Sequence, residues 1–83
     1  MVSDNNDLVD GQEIAKLLHV SIHTVRDYKR FRLIKIAAKQ GNKDLYSKAD
    51  VMKRRSIIDN KRKDGYTLSQ ISSMLEEELR KMR

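Results

Sequence analysis

The chain has no cysteine, no proline and no tryptophan, only three glycines, and 5% aromatic residues in 83 positions. Without cysteine there are no disulfide staples, no thiolate zinc or iron–sulfur ligands and no thiol nucleophile. Without proline no helix carries a forced kink. No apolar run approaches the ~20 residues of a membrane span. The three glycines, Gly11, Gly41 and Gly65, lie far apart, so no glycine-rich phosphate loop is formed. The aspartates near the start (Asp4, Asp7, Asp10) are unlike the basic opening of a signal peptide. With so few aromatics the core must be thin and aliphatic, and the chain has the length of one small domain.

Charge is abundant. The formal net charge is +6, and its distribution is uneven. Residues 1–13 hold four acids and no lysine or arginine, whereas Arg26, Lys29, Arg30, Arg32, Lys35, Lys39 and Lys43 stand against the single acid Asp27. A second cluster follows at Lys53, Arg54, Arg55 and Lys61, Arg62, Lys63. Such clustering points to a polyanionic partner. No acid falls in an apolar setting that would tune it for proton transfer, so an enzyme is not expected. His19 and His23 straddle a helix boundary with no third ligand near, so no metal is expected either.

Capping patterns divide the chain. Asp10 with Glu13, Ser47 with Asp50 and Thr67 with Gln70 have capping-box spacing, and Ser21 is a further N-cap. These predict helices at about 11–18, 22–30, 48–63 and from 68 onward. The turn 19–21 separates the first two, and Asp64-Gly65 ends the third. Ile14, Leu17 and Leu18, then Val25, Leu33 and Ile34, then Val51, Met52, Ile57 and Ile58 are the expected inward residues. Between helices two and three, residues 35–46 contain Gln40-Gly41-Asn42, turn chemistry suited to a β-hairpin, with a plain loop as the alternative because the alternation is short. The pattern predicts a mainly α winged helix-turn-helix of four helices and a small two-stranded hairpin wing. Its divisions are a polar segment at 1–9, the domain at 10–75 and a continuation of helix four at 76–83. Leu68, Ile71, Leu75, Leu79 and Met82 form one stripe, whose far end is expected to start a dimerisation helix or bind a partner helix.

With these residues in place, the chain resembles the N-terminal DNA-binding domain of the MerR family of bacterial transcription regulators. The resemblance covers about residues 8–75. It rests on EIAKLLHVS, on Ser21, Thr24, Val25, Arg26 and Tyr28 followed by Leu33-Ile34, on LYSKADV, and on GYTLSQISSML, in that order. It implies that Thr24, Arg26 and Tyr28 face DNA from the second helix; for Tyr28 the alternative is a ring buried against helix one, which is compatible with its hydroxyl reaching a phosphate. It also implies that the wing (Lys35, Lys39, Lys43) and the helix three–four junction (Lys61, Lys63, Tyr66) approach phosphates. Ser21, His23, Lys29 and Arg30 complete the expected DNA-contacting set. The chain departs from the family pattern at Asp27-Tyr28-Lys29, at Arg32 where a glycine is usual, and at Asp44 where a basic residue is usual.

The expected partner is double-stranded DNA, bound by a homodimer of the whole protein in the bacterial cytoplasm at the nucleoid. No cofactor, membrane or small-molecule effector site is expected in this chain. An excisionase, or a segregation or anchoring factor, is the alternative with the same fold, and a protein-interaction module is the alternative from another class.

Overall fold

A computed structural model describes residues 7–81. The elements are β1 (Leu8–Asp10), α1 (Gly11–Leu18), α2 (Ile22–Arg30), β2 (Ala38–Gln40), β3 (Lys43–Ser47), α3 (Lys48–Lys63) and α4 (Leu68–Lys81). The four helices start where the sequence places them, because in each a side-chain oxygen accepts a first-turn amide. Asp10 accepts from the Glu13 N–H at 3.0 Å, and Ser21 from Thr24, Ser47 from Asp50 and Thr67 from Gln70 at 3.2 Å. Only the last is a full reciprocal box, with the Thr67 N–H donating to Gln70 Oε1 at 2.9 Å. The box expected at Ser47 is half-formed because the Asp50 carboxylate turns along its helix to Arg54, 2.9 Å away.

Helix endings are more demanding. Three of them close by the same pair of bonds, with one residue in the left-handed region. Val20 N–H reaches Ala15 O at 3.0 Å around His19 (φ 58), and Leu33 N–H reaches Tyr28 O at 2.7 Å around Arg32 (φ 61). Tyr66 N–H reaches Lys61 O at 3.1 Å around Gly65 (φ 95). This closure favours glycine, which has no Cβ to clash, yet only the third site has one. The wing turn uses Gly41 in the same way (φ 62): a two-residue connection joins Gln40 to its cross-strand partner Lys43, with glycine first as in a type II′ hairpin.

The core lies where the helices cross. Ile14, Ala15 and Leu18 of α1 meet Val25 and Tyr28 of α2, then Leu33, Ile34, Tyr46, and Val51, Ile57 and Ile58 of α3. Ile71 and Leu75 of α4 close it. On α3 the inward positions are 51, 54, 57 and 58, a helical spacing that turns Met52 outward, contrary to expectation, with 47% exposure. Arg54 is buried in its stead at 4% exposure, its head held by Asp50 and by Glu76 at 3.6 Å. On α4, Leu68 and Leu79 are partly buried and pack against the core beside Ile71 and Leu75, so the stripe contributes to the domain itself as far as Leu79. Met82 lies outside the described residues.

The sheet has three strands, ordered β1-β3-β2, one more than the sequence suggests. Leu8 and Val9, expected in a polar leader, and the N-cap residue Asp10 pair antiparallel with Ser47, Tyr46 and Leu45. Just ahead of them Asp7 accepts from the Ser47 hydroxyl and, at 3.1 Å, from the Ala49 N–H, so it caps α3 from across the sheet. A three-residue strand has too little alternation to be seen before its partner is known.

Arg32→Gly is expected to stabilise the domain by roughly 0.5–1 kcal/mol, since relief of left-handed strain exceeds the added unfolded-state freedom. A shift of the urea midpoint the other way would refute it. The hydrogen bonds from Ser47 and Ala49 lower the Asp7 pKa, and the Glu13 amide lowers that of Asp10. A carboxyl with a depressed folded-state pKa contributes stability above its unfolded value, near pH 4, that is lost as pH falls through the folded value. Denaturant titration should therefore show Asp7→Asn less stable than the parent at neutral pH, the gap closing in acid.

Candidate nucleic-acid interface

Helix α2 is fixed in rotation by two side chains. Val25 and Tyr28 are buried at 2% and 7% exposure against α1 and the core, which leaves Ser21, His23, Arg26, Lys29 and Arg30 exposed and Thr24 half-buried. The Tyr28 ring is therefore core, and it does not stand beside Arg26 on the outer face as the resemblance implied. The reason is angular: Tyr28 follows Val25 by three residues, so an inward Val25 carries Tyr28 inward too. Thr24 hydroxyl lies 3.3 Å from that of Ser21, and both belong to the N-cap.

Helix α2 and the wing face one another across an open cleft of about 370 Å³, lined among others by Gly11, Ile22, Arg26, Lys29, Lys43 and Tyr46. The cations around it are mostly engaged. Lys29 donates to Asp44 at 2.6 Å, and Lys39, the cross-strand partner of Asp44, lies 3.5 Å from the same carboxylate. Lys43 faces Asp10 at 3.7 Å, whereas Lys35 precedes β2 and lies outside this cleft, 3.7 Å from Glu76 of α4. Arg30 pairs with Asp27 at 3.0 Å and lies over the Phe31 ring. The Lys29 hydrogen bond depresses the Asp44 pKa, and Asp44 in turn raises that of Lys29. Tyr46 beneath them is buried, which pushes its phenol up. Of the three cations on α2, Arg26 alone has no ion pair or hydrogen bond among the described residues.

At the α3–α4 junction Lys63 is exposed, and Tyr66 is 39% exposed under the Lys61 ammonium, which also lies 3.5 Å from Glu78. The basic run at 53–55 divides differently from its appearance in sequence. Arg54 is the buried α3–α4 tie. Arg55 donates to Leu18 O at 3.0 Å and to Asp59 at 2.9 Å, capping the end of α1. Lys53 alone of the three is exposed. The acids that hold the wing were missed in sequence as ion-pair partners. Period-two spacing is the available signal, because Asp44 shares the face of Tyr46 on β3 and so points at α2.

A short helix pair with a tight turn, followed by a hairpin on a small antiparallel sheet and two further helices, is a winged helix-turn-helix. The family model described as MerR HTH family regulatory protein matches residues 11–78, from the start of α1 to near the end of α4. The chain belongs to that family and is a DNA-binding domain of transcription regulation. Among curated proteins and solved structures none matches it significantly. No helix among the described residues is long and apolar enough to cross a membrane.

Since Tyr28 is core and Arg26 is not, stability measurements should separate them. Tyr28→Ala is expected to cost about 3–5 kcal/mol, and Arg26→Ala to stay within about 0.5 kcal/mol of the parent. Equal losses in urea unfolding would contradict this rotation of α2.

Proposed function

We propose that α2 enters the major groove of double-stranded DNA, with Arg26 reading a base edge, while the β2–β3 wing rests on the neighbouring backbone. The observation that carries this reading is the Arg26 guanidinium, exposed on α2 and without an ion pair among the described residues. Its fork of donors matches guanine O6 and N7 or a phosphate. Ser21, His23 and Thr24 stand at the helix start, where groove-entering helices meet base edges and phosphates. Arg30, on the same outer face, is partly neutralised by Asp27. Lys43 on the wing and Lys35 ahead of it beside α4, with Lys63 and Tyr66 at the α3–α4 junction, supply sequence-independent contacts that set register. The ion-pair distances of Lys35 and Lys43, 3.7 Å on exposed side chains, are weak enough to yield to phosphate. A single module of this size binds modestly, so two copies on a pseudo-palindromic site form the working unit.

The test is selection of bound duplexes from a random pool with the full chain. Arg26→Ala should then weaken the selected site by ~1–3 kcal/mol and relax preference at one base pair. Lys43→Ala combined with Lys63→Ala should weaken all duplexes alike and flatten the log affinity–log salt slope by about one for each phosphate no longer neutralised. Undiminished preference in Arg26→Ala would remove α2 as the reading element.

A further inference from the structure

We propose that Asp44 is a specificity-determining residue of this interface: it holds Lys29 and Lys39 away from the phosphate backbone and so suppresses binding to unrelated DNA. This rests on the proposed docking of α2 in the groove and adds a residue that contacts no DNA in it. Asp44 sits mid-strand on β3, on the face shared with buried Tyr46, so its carboxylate is fixed at the seam between wing and recognition helix. Its side chain is 19% exposed, against 47% for Lys29 and 65% for Lys39. One acid thereby occupies two ammonium groups from different elements, at 2.6 and 3.5 Å.

A phosphate seeking Lys29 must break a short charge-assisted bond, and one seeking either lysine must approach the same carboxylate, which repels it. Arg26 on the same helix is spared this competition. Non-specific affinity is built from phosphate contacts, whereas discrimination comes from base contacts. Removing two cations from the first class while leaving Arg26 for the second raises the ratio between right and wrong sites. The pair also ties the wing to α2, keeping their spacing constant.

The experiment compares the full chain with Asp44→Asn and Asp44→Ala on two duplexes, the selected site and a scrambled version, between about 50 and 200 mM salt. Freed lysines should steepen the slope on the scrambled duplex by about 0.9 per phosphate gained, hence by about 1 to 2, and narrow the affinity ratio between the two duplexes. Asp44→Glu, which keeps the charge, should retain the parental slope. Glu77→Gln on the exposed side of α4 changes net charge equally and should leave the slope near the parent's. A parental slope in both neutral variants overturns the proposal, as does an equal steepening in Glu77→Gln. A steepened slope in Asp44→Glu overturns it too, by removing charge as the cause. If the parent shows no salt-dependent DNA binding at all, the groove reading falls and the role of Asp44 with it. A parent that selects a site, with Asp44 variants that do not change its slope, leaves the groove reading standing and sinks only the role of Asp44.

Discussion

The rotation of α2 about its own axis is the constraint on which the rest of the candidate interface depends. Val25 and Tyr28 bury into the core cluster that also holds the inward residues of α1, Leu33 and Tyr46, and their three-residue spacing turns the helix through nearly one turn. With those two inward, His23, Arg26 and Arg30 must stand outward, because positions three and four apart share a face. The loop after α2 secures the same rotation. Arg32 takes a left-handed conformation so that Leu33 can fold back into the core within three residues of the helix end. A side chain that tolerates this geometry poorly is held there because the core contacts of Leu33 and Ile34 require it.

The second organising feature is how cations are distributed among roles. A net charge of +6 suggests a surface uniformly attractive to polyanions, but the folded molecule uses its charges unequally. Arg54 joins α3 to α4 from within the core, and Arg55 satisfies a carbonyl at the end of α1. Lys29 and Lys39 are gathered by Asp44. Among the described residues, the one cation of α2 left without an ion pair is the Arg26 guanidinium, on the face that packing leaves open. Field strength and recognition are thus separate properties here. The first follows from composition, and the second from which partners the fold places within reach of each charge.

Much of the architecture was legible because its signals are local. Asp10, Ser21, Ser47 and Thr67 mark helix starts by the chemistry of a single oxygen and the amide three residues on. Gly41 and Gly65 mark reversals by the absence of a Cβ. The features that were not legible involve partners distant in sequence. Leu8–Asp10 becomes a strand only because Leu45–Ser47 lies alongside, and Asp7 becomes a cap only when the sheet carries it to α3. Met52 and Arg54 exchange their expected places because periodicity alone does not fix which of two adjacent faces of α3 meets α4. A buried arginine is admissible only where Asp50 and Glu76 accompany it.

The sequence by itself determined the helix boundaries, the wing turn, the basic character of the surface and the family resemblance, since each is set by residues within a few positions of one another. Tertiary structure alone decided that Tyr28 is core, that the α4 stripe through Leu79 packs on the domain's own core, and which cations stay unpaired among the described residues. These depend on which side chains meet across tens of residues of chain, and pairwise proximity of that kind exists only once the backbone has closed.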